Sequence, residues 1–349
     1  MTSGGLRREP PASRMPAWVG KAVPWILLVA VTLAALASGK YSVSIHDIVL
    51  VLAAKLSGSA SGLPQNVETV IWNVRLPRVA CGLLVGASLA VAGAVYQGLF
   101  RNPLVSPDIL GVSAGSSLGA VLGIFLSLPV LAIQSMAFAG GLASVALVYA
   151  IGAAVRRHDP VLVLVLAGIA VGALLGACIS LVKVLADPYN QLPAITFWLL
   201  GSLASVTQGD FLSVLPAMII GLVPIVLLRW RLNLMTLDDQ EARALGIETT
   251  RMRLVLIASA TLMTAAAVSI SGIIGWIGLL VPHVARAFAG PNFSRLLPVA
   301  LLLGGGYLVC VDTLARSIAP VEVPLGILTA AIGAPFFIWL LTTTRQGWQ

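Results

Sequence analysis

Side chains with chemistry to offer are scarce in this chain, and their placement favours protein docking over catalysis. The densest group is Arg229 to Arg253, RWRLNLMTLDDQEARALGIETTRMR, with nine charged residues in a 349-residue chain that is 10% charged overall. Asp238 has the type and position of a helix N-cap, and Glu241 three residues later completes a capping-box variant. Asp239 and Glu241 suit the positive end of a helix, Arg243 the other end, and Gly246 a left-handed C′ stop. This pattern predicts a short helix over about 239–245 and a second helix start at Thr249 or Thr250. Ala242, Leu245 and Ile247 leave an apolar edge on it that water alone would not require. A solvated hairpin of charge is the bland alternative. The edge calls for a partner protein, with Glu241, Ala242, Leu245 and Gly246 central.

Catalytic and metal chemistry have no evident home. Cys81, Cys178 and Cys310 stand alone in or beside apolar runs, without a CxxC or a histidine at ligand spacing, which reads as buried small hydrophobes. His283, in VPHVARAF, is the only histidine near an apolar core and has no nearby acid, so an ordinary structural role is expected. No GxxxxGK[ST] stretch occurs, so ATP chemistry is not expected from this chain. Neither a catalytic residue nor a bound metal or cofactor is expected. Ion-coupled carriers place carboxylates or histidines at mid-membrane, whereas the ionisable residues here cluster at the ends of apolar runs. Lys183 with Asp187, and Asp312 with Arg316, are four apart and read as local helix pairs.

The elements that position these residues follow from composition. At 58% hydrophobic, with 34 glycines and a mean hydropathy of +1.00, the chain is expected to be an all-α polytopic membrane protein. About ten spans are expected, near 23–39, 79–100, 108–127, 130–155, 161–185, 210–230, 252–272, 274–288, 296–316 and 324–342. The eighth is short and glycine-broken. An apolar piece near 191–206 is too short to cross and reads as re-entrant or cavity-lying. Residues 1–22 read as a disordered cytoplasmic tail, 23–345 as one transmembrane domain with the charged loop at 237–250, and 346–349 as a cytoplasmic end. Arg7, Arg8, Arg14 and Lys21 before a run ending Ala35-Leu36-Ala37 imitate a cleaved signal peptide. Cleavage would leave an odd number of spans and the two ends on opposite sides, so the first span is retained.

Fifteen of the 21 lysines and arginines then fall on one side, which places both termini in the cytoplasm. The net charge of +8 is an insertion signal, and nucleic-acid binding is not invoked. Arg75, Arg78 and Arg316 stand on the outer side against this bias. They either anchor span ends or pair with Glu68, Asp312 and Glu322.

Three spans carry small residues at intervals of four: Gly82, Gly86, Ala90, Ala94 and Gly98; Gly111, Gly115, Gly119 and Gly123; Gly168, Gly172, Gly176 and Ser180. In lipid such faces let helix backbones approach closely. Between the second and third spans, RNPLVSPDILG carries turn chemistry at Asn102-Pro103 and Ser106-Pro107, and Ser106 or Asp108 can cap the next span.

LDDQEARALGI resembles the cytoplasmic coupling loop of the iron-siderophore and cobalamin class of ATP-binding-cassette (ABC) importer permeases, the FecCD type. The resemblance covers almost the whole chain after residue 40. It runs through RLPR at Arg75 to Arg78, GAVYQGLFRNPLVSPDILGVSAGSSLGA at 93–120, ADPYNQLPAITFWLLGSL at 186–203, SGIIGWIGLLVPHVAR at 271–286 and VEVPLGILTAAIGAPFFIWLL at 321–341. It implies a cobalamin-permease-like bundle of about ten transmembrane helices in the bacterial inner membrane, paired with a second permease subunit. Two cytoplasmic ATPase subunits, which hold the ATP and Mg, would bind Asp238, Asp239, Glu241, Ala242, Arg243, Leu245 and Gly246. A periplasmic substrate-binding protein would dock on Arg75, Arg78 and Arg316. The path would run between the subunits, lined by the fifth and tenth spans and by Ile195, Phe197, Trp198 and Ser202. Within the family, 93–120 and 186–203 lean toward a ferric siderophore, while haem, cobalamin and molybdate or tungstate permeases share the scaffold. An ion-coupled secondary transporter is the distant alternative.

Overall fold

The computed structural model describes residues 17–39, 41, 43–155 and 160–343. Arg7, Arg8, Arg14, Lys40, Arg156, Arg157 and Arg345, and the C-terminal end, lie outside the described residues. Fourteen α-helices occur among the described residues: α1 (Ala17–Ala37), α2 (Ile45–Ser57), α3 (Gln65–Thr69), α4 (Leu76–Leu99), α5 (Val112–Phe125), α6 (Val130–Ala154), α7 (Pro160–Leu185), α8 (Gln191–Leu200), α9 (Gln208–Leu228), α10 (Asp239–Ala244), α11 (Thr249–Ser271), α12 (Ile277–Ala289), α13 (Phe293–Ala315) and α14 (Leu325–Thr343). A π-helical turn, Val70–Arg75, joins α3 to α4 without a break. Helix α1 begins at Ala17, so the last six residues of the expected 1–22 tail are helical rather than disordered.

Six of these stretches are long and apolar enough to cross a membrane by length and composition: Gln65–Leu99, Val130–Ala154, Val161–Leu185, Gln208–Leu228, Thr249–Ser271 and Phe293–Ala315. The expected spans near 23–39, 108–127, 274–288 and 324–342 correspond to shorter apolar helices, Ala22–Ala37, Val112–Phe125, Ile277–Ala289 and Leu325–Leu340. In the 108–127 stretch a 3-10 turn, Pro107–Leu110, and the left-handed Gly111 (φ 76°) take up the first residues, leaving a 14-residue helix.

The core forms around α4, which packs against α11, α12 and α13. Small residues make these approaches possible. A Cβ on Gly86 would strike the carbonyl oxygen of Gly304 in α13, and one on Gly93 would strike that of Gly278 in α12. Helices α5 and α6 meet the same way, Gly115 against Gly140 and Gly119 against Met136. In α7 the ladder is only partly used. Gly168 abuts the Ile109 carbonyl, but among the described residues no atom beyond the helix's own nearby backbone comes within 4 Å of a Cβ built on Gly172 or Gly176.

The 191–206 piece is a short helix, α8, stopped at Gly201 (φ 73°). Its irregular continuation is satisfied by protein, as membrane-depth backbone requires. The Ser202 N–H donates to Ser271 O at 2.8 Å and Gly201 O accepts from the Leu325 N–H at 3.0 Å. Three chain breaks, after α8, after α11 and before α14, are thereby knitted together.

Helix α2 lies outside the ten expected spans. Ser44 and Asp47 close a capping box at its start, Gly58 (φ 69°) ends it, and Ile48, Val51 and Ala54 form its buried face. The Ser44 hydroxyl and N–H hold the Asp47 carboxyl below the ordinary aspartate range. An S-x-x-D signal before an apolar run was legible at 44–47, but the short apolar stretch that follows does not reach span length. Of the two expected helix pairs, Arg316 Nε does face Asp312 Oδ2 at 3.7 Å. Lys183 and Asp187 form no ion pair among the described residues, because α7 ends at Leu185 and Asp187 instead accepts the Asn190 N–H at 2.8 Å.

Candidate functional site

Helix α10 stands between α9 and α11, reached through a 3-10 turn at Arg231–Thr236 whose Leu232 and Met235 are buried. Its C-terminal stop forms as the sequence predicts. Gly246 adopts φ 81°, its N–H donates to Arg243 O at 2.9 Å, and the Ile247 N–H donates to Ala242 O at 3.1 Å. These two bonds make a Schellman closure, and α11 starts at Thr249. The N-terminus differs from expectation. Asp238 occupies the N-cap position with extended backbone but caps nothing with its side chain, so the capping box with Glu241 does not form. Its carboxylate is drawn away by Arg101, whose Nη1 lies 3.4 Å from Asp238 Oδ1 and whose Nη2 lies 3.3 Å from Asp239 Oδ1. A charge-assisted contact to a guanidinium outcompetes a cap to a backbone N–H.

Asp239 also receives Arg253 Nη2 from α11 at 3.1 Å, and Arg243 Nε donates to Thr249 Oγ1 at 3.2 Å. The expected apolar edge is divided. Ala242 and Ile247 are buried in the chain's own core, and only Leu245, 60% exposed, is left to the solvent side. Beside α10 lies a cavity of about 710 Å³ bordered by Tyr149, Arg243, Gly246, Ile247, Thr250 and Leu254. The fold therefore pins a one-and-a-half-turn helix by two ion-paired arginines and presents Leu245 next to a recess.

Arg101 and Arg253 carry no local signal of this role, and the sequence marks them only by their charge. Arg101 lies 137 residues from Asp238, and no local spacing rule signals such a pair. Within RNPLVSPDILG the turns form, with Asn102 Oδ1 accepting the Leu104 N–H at 2.9 Å. The expected caps do not. Ser106 makes no side-chain cap bond, and Asp108 accepts the hydroxyl of Ser113.

At the opposite end of α4, the three outer arginines are all engaged internally. Arg75 donates through Nη1 to the carbonyls of Leu36 (2.6 Å) and Ala37 (3.0 Å), and through Nη2 to that of Tyr41, capping the end of α1. Arg78 holds Asp312 and also Glu322, at 2.8 Å each. Arg316 donates to Ala35 O at 2.7 Å. Glu68 pairs with Lys55 at 3.6 Å, not with an arginine.

The four path candidates separate. Ile195 is fully buried, clustered with Val121 and Ala186, and so packs α8 against the bundle rather than lining a passage. Phe197 is 65% exposed, Ser202 is exposed and Trp198 half-buried. His283 meets Phe336 edge-on at 6.3 Å, a packing contact. Among the described residues no group of three or more His, Cys, Asp or Glu side chains could hold a metal ion.

A many-helix apolar bundle with a charged, pinned helix between two long spans is the build of a transporter's membrane subunit. The model of the FecCD transport family matches residues 27–343, and the chain belongs to that family. It is the permease subunit of an ABC importer, a transport protein and not an enzyme. It is 38% identical over 322 residues to the molybdate import system permease protein MolB of Haemophilus influenzae, covering 92% of this chain and 95% of that one. It is 43% identical over 281 residues to the cobalamin import system permease protein BtuC of Halobacterium salinarum, covering 80% and 75%. Among solved structures, a metal-chelate-type ABC transporter in an inward-facing conformation superposes with a TM-score of 0.81 at 37% identity, covering 92% of this chain and 98% of that one.

Proposed function

We propose that this permease works as a pair of ten-span subunits in the inner membrane, with both termini cytoplasmic, and that it imports a metal-containing solute delivered by a periplasmic binding protein. The ten spans are the six long stretches together with α1, α5, α12 and α14. The observation that carries the reading is α10: a pinned helix with one exposed leucine beside a recess fits the groove of a separate ATPase, which holds the ATP and Mg. Asp239, Ala242, Arg243 and Gly246 build the helix, while Glu241, Leu245 and Asp238 face or flank the partner. Nucleotide-driven movement of the ATPase pair shifts α10, and alternating access follows from differential contact in the two states.

The open face of α7 at Gly172 and Gly176 supports a second copy packing close to it. Phe197, Trp198 and Ser202 are the path residues retained. Docking of the binding protein belongs at the outer rim fixed by Arg75, Arg78 and Arg316. Their guanidiniums are spent on internal acceptors, so a partner carboxylate has to share them with Asp312, Glu322 and the end of α1.

For the substrate, the relatives favour a cobalamin, haem or molybdate-type solute over the ferric siderophore suggested by 93–120 and 186–203. Uptake of labelled cobalamin, haem, molybdate and a ferric siderophore by a deletion strain carrying this chain and its ATPase tests the reading. Uptake that continues with a catalytically dead ATPase and collapses with the ion gradient identifies a secondary transporter instead.

A further inference from the structure

We infer that Arg101 is a positioning residue for coupling: it ties the inner end of α4 to the docking helix, so that displacement of α10 is carried along α4 to the ion-pair cluster at its outer end. The inference deepens the proposed function and rests on α10 being the ATPase contact.

Helix α4 is built as a strut. It is buried along almost its whole length, including Val85, Leu89, Ala90, Val95, Tyr96 and Leu99, and its 24 residues span about 36 Å at 1.5 Å per residue. Glycine contacts at Gly86 and Gly93 lock it against α13 and α12 with no side chain between backbones, and close-packed elements transmit strain. Both its ends are held by charge. At the outer end Arg78 grips Asp312 and Glu322. Two residues past the inner end, Arg101 bridges Asp238 and Asp239 at the start of α10. Arg253 of α11 closes the network from the other side, on the same Asp239 carboxylate.

Two features separate this link from an ordinary surface pair. Arg101 has a φ of 50°, in the left-handed region where glycine or asparagine is easier to accommodate, yet the position carries a side chain that reaches both acids. In addition, α10 packs on α11 and on the 231–236 turn, which itself packs on α4, and among the described residues its direct polar connection to the α4 end runs through Arg101. Exposed pairs of this length add little to stability. The arrangement instead fixes where α10 stands relative to α4.

The test uses the complete complex with its ATPase, reconstituted in lipid, in a chain freed of Cys81, Cys178 and Cys310 and carrying Ile318→Cys, which sits exposed beyond α13. Wild-type complex should change its rate of labelling at position 318 by an impermeant maleimide when ATP and vanadate are added. Arg101→Gln should reduce that response about five-fold, a larger loss than any it causes in ATPase retention or hydrolysis. Arg101→Lys should recover part of the response. Arg101→Asp combined with Asp238→Arg should exceed Arg101→Asp alone, which keeps the test decisive should the Gln variant misfold. An unchanged response in Arg101→Gln, a parallel loss of ATPase, or a wild type that holds its ATPase yet shows no response at 318 overturns the inference. A wild type that holds no ATPase overturns the functional reading beneath it.

Discussion

Arg78 and Asp312, 234 positions apart, form a side-on ion pair in which Nε lies 3.0 Å from both carboxylate oxygens and Nη2 lies 2.8 Å from Oδ1. Both side chains are less than one-tenth exposed, so neither charge has water to fall back on. Among the described residues, removing Arg78 leaves the buried Asp312 carboxylate with only the longer Arg316 contact at 3.7 Å. Arg78→Leu should therefore destabilise the subunit by about 3 kcal/mol, measured by denaturant unfolding in mixed micelles. Arg78→Leu with Asp312→Leu should regain part of that loss, and a double variant as unstable as the single one would contradict the pairing. Reversing Arg75 or Arg78 to glutamate perturbs the outer layer itself, so binding-protein docking has to be measured beside unfolding.

Leu245, at the C-cap of α10, is the large apolar side chain that this turn exposes, and it supports little of the fold. Leu245→Asp should change subunit stability by less than about 0.5 kcal/mol while abolishing co-purification of the ATPase. Ala242→Asp, at a buried position, should lower stability as well. Normal ATPase recovery and uptake with Leu245→Asp would mean that α10 is a solvated loop.

Gly86 and Gly172 look alike in sequence and differ in place. Gly86→Val drives a side chain into the Gly304 carbonyl and Leu308, and should cost about 2 kcal/mol in unfolding. A Cβ at Gly172 meets no atom of another described element within 4 Å, which leaves room for Gly172→Val. That variant should leave the monomer's unfolding unchanged and weaken cross-linking between two copies. Equal subunit destabilisation by both variants would refute the open α7 face.

Orientation is tested by single cysteines in a background lacking Cys81, Cys178 and Cys310. Gln240→Cys should be reached by an impermeant thiol reagent only in inverted vesicles, and Lys55→Cys only in intact cells with a permeabilised outer layer. Labelling of position 240 from the periplasm would reverse the topology.

What residue type and local spacing could decide, the sequence already contained. Apolar runs gave the all-helical membrane class, because a backbone in lipid must satisfy its own hydrogen bonds. Gly246 gave the stop of α10, because a left-handed C-terminal closure is chemistry within one turn. The intervals of four along α4 and α5 gave the faces on which backbones meet, because those residues share one side of a helix.

Tertiary structure decided whatever depended on partners far along the chain. It took Asp238 from its cap to Arg101, buried Ala242 and Ile247 while leaving Leu245 out, and spent Arg75, Arg78 and Arg316 on α1 and Asp312. It placed Ile195 in the core and left Gly172 and Gly176 open on a ladder whose Gly168 is packed. Each outcome is a competition between one local acceptor and another brought near by folding. Sequence spacing lists the competitors within a turn or two, and only the packed bundle supplies the rest.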